Sequence, residues 1–240
     1  MKAVIQRVTS AKVEVDGELI VCNSVHGEVD LQEALCRSCN VAFAQIALEL
    51  GADTLTDYAR RLGICDSLSF DGYDTRKGYI DLKDAGRQSI AWAGIGQYND
   101  LINPCQFMTL MGAIANGGVA AEPYLVQQAC YDDSIEYEAK TRQGRRVLSE
   151  ETAQRLSEIM HYAVVNNYGE WNFSGLYAGA KSGTAEQGEG ENDALFAGFI
   201  RDPDYPLAFI VIVEGGGAGS STCVPIVKQV LDSCVVELDS

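Results

Sequence analysis

Gly179-Ala180-Lys181-Ser182-Gly183-Thr184-Ala185-Glu186 carries a lysine, a serine, a glycine and a threonine at consecutive positions. In a β-strand, side chains alternate between faces, so Ser182 and Thr184 point to one side and Lys181 and Gly183 to the other. Since Gly183 lacks a side chain, another backbone or a ligand can approach the strand there. A strand edge of this composition suits a peptide-like ligand that ends in a carboxylate. An ordinary strand with a glycine bulge and a surface lysine is the alternative.

The residues that follow predict an antiparallel sheet flanked by helices, in the α+β class. Gly175–Glu186 holds the central strand, and a polar turn separates it from a second strand at Asp193–Arg201. Leu207–Glu214 is a nearly continuous apolar run, which is typical of an interior strand covered on both faces. Val224–Val235 predicts a final helix that packs back on the sheet.

Two helices are predicted earlier in the chain, and a polar tripeptide lies between them. Asp30 and Glu33 form a capping-box pattern that opens the first helix. The second helix begins near Asn40 and ends at Gly51. Ser38-Cys39-Asn40 lies at the junction, where polar side chains can face a cleft. Helix capping by Ser38 and Asn40 is the alternative explanation, since serine and asparagine are good caps.

The remaining elements follow from local signals. Asp66–Ala91 is polar and has little periodicity, so we predict a loop-rich segment. His161 lies in an amphipathic helix and is interpreted as structural rather than as a base. The other predicted helices begin at Thr54, at Asn103-Pro104 and at Ser149, and the other predicted strands are Pro123–Cys130 and Ser134–Lys140.

Lys181-Ser182-Gly183 resembles the lysine-threonine/serine-glycine motif of the penicillin-binding proteins, and Ser38-Cys39-Asn40 resembles their Ser-x-Asn motif. The surrounding residues are similar to those of monofunctional, class B peptidoglycan transpeptidases, in the same order, from about Val21 to the C-terminus. The resemblance implies the fold shared by penicillin-binding proteins and serine β-lactamases. The segments that carry it are His26–Leu35, Gly94-Ile95-Gly96-Gln97, Asn103-Pro104-Cys105-Gln106, Ala113–Gly118 and Ala194–Phe199.

The resemblance also implies roles for individual residues. In the family, acyl transfer proceeds through a serine ester, and the substrate is a stem peptide ending in D-Ala-D-Ala, which β-lactams mimic. Ser38 would relay a proton to the leaving amine, Asn40 would bind the substrate amide, and Lys181 would supply positive potential. The predicted substrate-binding residues are Ser182, Gly183 and Thr184, with the backbone N–H of Thr184 as half of an oxyanion hole.

One family motif has no counterpart in this chain. No serine has a lysine three residues later, and the only threonine with that spacing is Thr9, before Lys12. The resemblance therefore implies a transpeptidase domain that is truncated at its N-terminal side, incomplete in fold and inactive as this chain. A non-catalytic scaffold module that binds a carboxylate or a β-lactam is the alternative. Without the missing helix, we expect Phe43–Leu50 and Leu207–Val213 to be partly exposed and to favour self-association.

The N-terminal residues resemble a different family. Ala3–Val8 and Lys12–Val15 predict a pair of short strands, and Asp16-Gly17 is a turn signal. The first eighteen or so residues resemble the start of D-aminoacyl-tRNA deacylases, but that family's Ser-Gln-Phe-Thr and Asn-x-Gly-Pro motifs do not occur. We therefore divide the chain into a β-hairpin segment of uncertain origin, residues 1–20, and part of a transpeptidase domain, residues 21–240. A fused N-terminus and a coincidental hairpin both remain open.

Composition excludes several classes of partner. The chain has 240 residues, 47% of them hydrophobic, which is enough for one domain with a substantial core. A net charge of −16 disfavours binding to nucleic acids. No apolar run is long enough to span a bilayer, and Met1–Lys12 is not a signal peptide. Family members act outside the cytoplasmic membrane, whereas this chain shows no signal or membrane anchor.

The eight cysteines are scattered, mostly in apolar runs, and are interpreted as small buried hydrophobic residues. Cys36-x-x-Cys39 has the spacing of a redox or metal pair, but it overlaps the Ser-x-Asn motif. No second pair and no histidine stands at zinc-finger spacing. The sequence therefore predicts no metal and no cofactor.

Overall fold

The structure is a computed structural model that describes residues 6–8, 10–186, 188 and 190–238. Thr9 and the first residues of the strand predicted at Ala3–Val8 lie outside the described residues. In the described part of the chain the α-helices are α1 (Leu31–Cys36), α2 (Asn40–Arg61), α3 (Arg87–Ala93), α4 (Pro104–Ala115), α5 (Glu150–Ala163) and α6 (Gly219–Leu238).

The strands are short except near the C-terminus. They are β1 (Gln6–Val8), β2 (Lys12–Val15), β3 (Glu18–Val21), β4 (Gly27–Val29), β5 (Ser69–Phe70), β6 (Tyr73–Asp74), β7 (Val119–Glu122), β8 (Gln128–Tyr131), β9 (Ser134–Glu138), β10 (Arg142–Arg146), β11 (Ala178–Ala185), β12 (Asp193–Ile200) and β13 (Ala208–Val213).

The main sheet is an antiparallel meander in the order β11-β12-β13. Lys181 is paired with Ala197, and Ala197 is paired with Ile210. Two predictions were wrong here. Among the described strands β12 is the central one, and β13, expected to be interior, lies at an edge, as does β11. In a three-stranded meander, the strand that is second in the sequence is also the central strand of the sheet. The third strand therefore lies at an edge even when it is strongly hydrophobic.

Helices cover both faces of this sheet, which confirms the predicted α+β architecture. On one face, the side chains of Ala180 and Phe196 pack with Val227 of α6. On the other face, Phe199 packs with Met111 of α4 and with α5. The sheet thus forms the middle layer of the body, and the Lys-Ser-Gly-Thr residues of β11 stand at its edge.

The N-terminal strands pair differently from the prediction. The turn at Asp16-Gly17 is confirmed, and it joins β2 to β3. However, the described residues of β1 pair with β4 rather than with β2. Within the described residues, Val15 and Ile20 are buried against α2 and α3. The hairpin is therefore packed on the body because its alternating pattern supplies one apolar face.

The predicted helix boundaries are largely confirmed because they depend on local capping. The side chains of Asp30, Asn103 and Ser149 each accept a hydrogen bond from the backbone N–H three residues later, at the starts of α1, α4 and α5. Gly51 interrupts α2 with a φ of 78°, where an L side chain would be strained.

Some elements were not predicted from the sequence. The polar segment expected to be loop-rich contains the hairpin β5–β6 and helix α3, and β7 pairs with β10. The hairpin β8–β9 begins at Gln128 rather than at Pro123. Very short strands and helices carry too few residues for a periodic pattern to form.

The two apolar segments expected to be partly open do expose surface. On β13, Ile212 is 38% exposed, and on α2, Leu50 is 49% exposed. Phe43 is instead partly buried beside the cluster that contains Val8 and Val41. Among the described residues, no helix is long and apolar enough to cross a membrane.

Candidate active site

Ser38 lies at an exposed, strained corner between α1 and α2. Its backbone adopts a φ of 51°, in the left-handed region that non-glycine residues seldom occupy. Ser38 does not cap a helix: the N-cap of α2 is Cys39, which makes no side-chain capping bond, and Asn40 is already helical. Capping therefore does not explain the serine. Strained residues held by the surrounding fold often occur at functional sites.

Lys181 joins this corner to the main sheet. Its Nζ atom donates hydrogen bonds to Ser38 Oγ at 2.5 Å and to the carbonyl oxygen of Ser182 at 2.5 Å. Ser38 and Lys181 are 143 residues apart in the sequence. Two of the residues singled out from the sequence are thus in direct contact, as a relay between them requires.

The environment of Lys181 changes its acidity. Burial lowers the pKa of its ammonium group to about 8, because the charged form loses hydration. The nearby Cys36 thiol acts in the opposite direction and does not compensate. Near neutral pH the lysine is therefore mostly charged, yet it can release a proton far more readily than an exposed lysine.

Ser182 is held by Tyr168, a buried residue on the π-helical turn Val164–Tyr168 that extends α5. The backbone N–H of Ser182 donates to the Tyr168 hydroxyl at 2.9 Å, and that hydroxyl lies 3.0 Å from Ser182 Oγ. Burial raises the pKa of Tyr168, so the phenol keeps its proton and can donate it to the serine. Tyr168 thus fixes both the backbone and the side chain of Ser182.

The hydrogen bond from the Ser182 N–H to Tyr168 shows which edge of β11 is not paired with β12. Because the N–H of Ser182 points away from β12, the N–H and C=O of Thr184, two residues on, point to that edge as well. Gln97 Nε2 donates to the Thr184 carbonyl oxygen there, at 3.4 Å. The N–H of Thr184 therefore faces the region beside Gln97, as the predicted oxyanion donor must.

Thr184 also contacts the start of α6. The N–H of Gly219 donates to Thr184 Oγ1 at 3.0 Å. A Cβ on Gly219 would lie 2.0 Å from the Gly183 carbonyl oxygen, whereas a Cβ on Gly183 would only touch Leu195 at 3.5 Å. The close backbone approach predicted at Gly183 does occur, but Gly219 is the glycine that permits it. The positive end of the α6 dipole thus lies beside the threonine hydroxyl.

The other two residues of the Ser-x-Asn motif contact the segment at the end of β3. Asn40 Nδ2 donates to the Val21 carbonyl oxygen at 2.9 Å, so its amide ties α2 to the end of β3. Cys39 is fully buried, and its sulfur lies 3.6 Å from that of Cys22. Burial raises the pKa of the Cys39 thiol to about 11. The sulfur contact of Cys39 is thus with Cys22, which lies on another segment of the chain.

His161 has a structural position, in agreement with the sequence interpretation. Its Nδ1 atom donates to the Ala178 carbonyl oxygen at 2.9 Å, and its ring stacks on Tyr177 at a centroid distance of 3.9 Å. These contacts join α5 to the start of β11.

Two residues of the site were not predicted from the sequence. Tyr168 and Gly219 lie outside any motif, since each acts through one contact with β11 that only the fold creates. The glycine-rich loop before α6 was a usable signal for Gly219, whereas nothing local distinguishes Tyr168 from the other tyrosines.

The lowered pKa of Lys181 makes a testable prediction about stability. The folded chain loses this proton near pH 8, and the unfolded chain near the ordinary value of 10.5. Between these values the unfolded state binds more protons, so raising the pH favours folding. We expect the free energy of unfolding of the wild type, relative to Lys181→Met, to rise across this window in urea denaturation experiments.

Lys140→Met, at an exposed position, is the matched control and should give a difference that does not change with pH. If the difference in free energy of unfolding between the wild type and Lys181→Met also did not change with pH, the lysine would not be desolvated in the folded chain.

Comparison with known proteins identifies the family of this chain. A family model described as the penicillin binding protein transpeptidase domain matches residues 17–232. Peptidoglycan D,D-transpeptidase PbpA of Mycolicibacterium smegmatis is 29% identical over 227 residues, which cover 87% of this chain and 44% of that protein. PbpA of Mycobacterium tuberculosis is 27% identical over 218 residues, which cover 86% of this chain and 44% of that protein. This chain therefore spans less than half the length of these relatives.

Solved structures share the fold. An imipenem acyl-enzyme complex of penicillin-binding protein A from M. tuberculosis has a TM-score of 0.87 at 24% identity, covering 98% of this chain and 55% of that chain. The D,D-transpeptidase domain of a peptidoglycan glycosyltransferase from Eggerthella lenta has a TM-score of 0.85 at 23% identity, covering 99% of this chain and 61% of that chain. The predicted resemblance is thus confirmed: this chain belongs to the penicillin-binding protein transpeptidase domain family.

Proposed function

We propose that this chain is a D,D-transpeptidase-like domain that binds the D-Ala-D-Ala end of peptidoglycan stem peptides, and β-lactams, reversibly and without acyl transfer. The contact between Lys181 Nζ and Ser38 Oγ carries the proposal, because it assembles two motifs that lie far apart in the sequence. In this proposal Ser38, Asn40 and Lys181 would take the family's catalytic roles, although the Asn40 amide bonds to Val21 in this structure. The substrate-binding residues would be Ser182, Gly183 and Thr184.

Three groups favour a carboxylate at the edge of β11. The ammonium of Lys181 is charged below about pH 8 and has lost part of its hydration. The hydroxyl of Thr184 is oriented by the N–H of Gly219, at the N-terminus of the long helix α6. A helix N-terminus and a desolvated cation both attract anions. The hydroxyls of Ser182 and Thr184 lie on the same side of the strand and can donate to the carboxylate oxygens.

The missing nucleophile explains why binding would not lead to reaction. The chain has no Ser-x-x-Lys, so neither the acylated serine nor its own N–H, the second oxyanion donor, is supplied. Loss of one oxyanion donor typically costs roughly 10²–10³ in rate. Loss of a serine nucleophile costs on the order of 10⁶. The remaining half of the site would bind ligand and turn over little or none of it.

Residues 21–240 would form the transpeptidase-type part and residues 1–20 an added segment, although the hairpin of that segment packs on α2 and α3. Family members work at the outer face of the cytoplasmic membrane, next to peptidoglycan, and we place the ligand there as well.

The proposal is tested by intact mass after incubation with benzylpenicillin, combined with ligand-observed NMR. We expect no covalent adduct but a reversible saturation signal. Thr184→Val removes one hydrogen bond to a charged ligand, so binding should weaken roughly tenfold or more. Thr141→Val, at an exposed position between β9 and β10, is the matched control.

Two outcomes would contradict the proposal. One penicillin per chain would reveal a nucleophile, and peptide mapping would then begin with Thr9, Ser10 and Ser38. Absence of both adduct and reversible signal would refute the carboxylate site itself.

We also propose that the chain self-associates through β13. This strand has one unpaired edge among the described strands and carries Ile212, which is 38% exposed. Unpaired edges are templates for pairing with a second chain, and a lysine on the edge strand blocks it. Sedimentation velocity should show concentration-dependent association of the wild type that Ile212→Lys reduces. Val236→Lys, on α6 at 70% exposure, should leave it unchanged; a monodisperse wild-type monomer at all concentrations would contradict the proposal.

A D,D-transpeptidase-derived scaffold and a D-aminoacyl-tRNA deacylase are the alternatives. The scaffold would bind a carboxylate or a β-lactam but would not act on stem peptides. The deacylase rests on the first eighteen or so residues alone, and the net charge of −16 opposes binding to tRNA. Turnover of a D-aminoacyl-tRNA would replace the proposal with this alternative.

A further inference from the structure

Beneath the Ser-x-Asn corner lies a buried cluster of two thiols and an imidazole. Cys22 follows β3, His26 precedes β4, and Cys39 is the N-cap of α2. One ligand atom of each residue lies within 4.8 Å of those of the other two. Their exposed fractions are 5%, 9% and 0%. The fold thus brings together side chains that are separated in the sequence and that zinc and other soft metals prefer.

The spacing of the sulfurs fits a tetrahedral ion. Cys22 Sγ and Cys39 Sγ are 3.6 Å apart. At a Zn–S distance of about 2.3 Å, two sulfurs of a tetrahedral site are separated by roughly 3.8 Å. The same separation is much longer than a disulfide bond, which is about 2.05 Å.

The histidine has one nitrogen engaged and one without a partner. His26 Nε2 lies 3.1 Å from Asn23 Oδ1, so it carries the proton and donates it to that amide oxygen. His26 Nδ1 is buried and has no hydrogen-bond partner among the described residues. In this tautomer Nδ1 holds a free lone pair. A histidine that binds a metal through one nitrogen commonly donates a hydrogen bond through the other, which fixes the ring.

Burial favours the protonated thiol at Cys39, and two backbone features partly oppose that effect. The N–H of Val41 donates to Cys22 Sγ at 3.2 Å. Cys39 occupies the N-terminal end of α2, where the helix dipole favours negative charge. Two thiolates together with Zn²⁺ form a neutral group, which removes the cost of burying separate charges.

We propose that Cys22, Cys39 and His26 Nδ1 bind one zinc ion, with Asn23 fixing the histidine. Binding converts two thiols and Zn²⁺ into a Zn(thiolate)₂–imidazole site and releases two protons, with no change of oxidation state. Water completes the tetrahedron. The ion links the segment between β3 and β4 to Cys39. Because Cys39 directly follows Ser38, the ion also stabilises the corner at which Ser38 lies. This site was not predicted from the sequence, which predicted no metal and interpreted the cysteines as small buried hydrophobic residues.

The experiment uses the full chain, purified under reducing conditions without a metal-affinity step. Elemental analysis should find about one zinc per chain, and Co²⁺ in place of zinc should give thiolate-to-cobalt charge-transfer absorption. Titration of the metal-free chain with Zn²⁺ against a competing chelator gives the affinity. Cys22→Ser and His26→Ala should lose the ion. Asn23→Ala, at an exposed position, should weaken zinc binding about 10- to 100-fold.

Cys130→Ser is the matched control, since this thiol is exposed on β8 and is not part of the cluster, and it should keep the zinc. The cobalt spectrum of the wild type needs no variant, so misfolding of a mutant cannot hide the answer. The proposal is overturned if the wild type takes up no zinc under reducing conditions. It is also overturned if mass spectrometry finds a Cys22–Cys39 disulfide, two hydrogens lighter, in a metal-free chain that resists reduction.

Discussion

The contact between the Lys181 ammonium and the Ser38 hydroxyl is the interaction on which the site depends. It spans 143 residues and joins the edge of the main sheet to the junction of α1 and α2. Both partners are in states that are unfavourable in isolation: Ser38 has a left-handed backbone conformation, and Lys181 has lost enough water to lower its pKa to about 8. Such costs persist only where the surrounding packing is strong enough to maintain them.

That packing comes from the two layers of helices around β11-β12-β13. Phe196, on the central strand, is fully buried and lies 5.0 Å from Tyr168, ring centre to ring centre. Tyr168 in turn fixes Ser182 through its hydroxyl. Core packing and site geometry are therefore continuous: the face of the sheet that packs on α6 also sets the position of the strand edge that would bind a carboxylate.

The sequence predicted what local chemistry determines. Capping by Asp30, Asn103 and Ser149, the break at Gly51 and the alternation along β11 each depend on a few neighbouring residues. The motif order also sufficed to identify the family and to bring Ser38 and Lys181 into one site.

The misplaced features depend on long-range pairing. The apolar run of β13 suggested an interior strand, but its place at an edge follows from the order of the meander. The partner of β1 is β4, because pairing there lets Val8 and Val29 join one buried cluster. The support that Tyr168 gives to Ser182, and the meeting of Cys22 with His26 and Cys39, arise from tertiary contacts between segments that no sequence motif joins.

A double-mutant cycle on Ser38→Ala and Lys181→Met, read out as the free energy of unfolding near neutral pH, tests the central contact most directly. Residues in one hydrogen-bond network show coupling energies of about 0.5–3 kcal/mol. We expect a coupling within that range, because each substitution removes the same bond between the sheet and the helical corner. Strictly additive effects of the two substitutions would mean that the corner and the strand edge are held independently, and the site would then lack the interaction that assembles it.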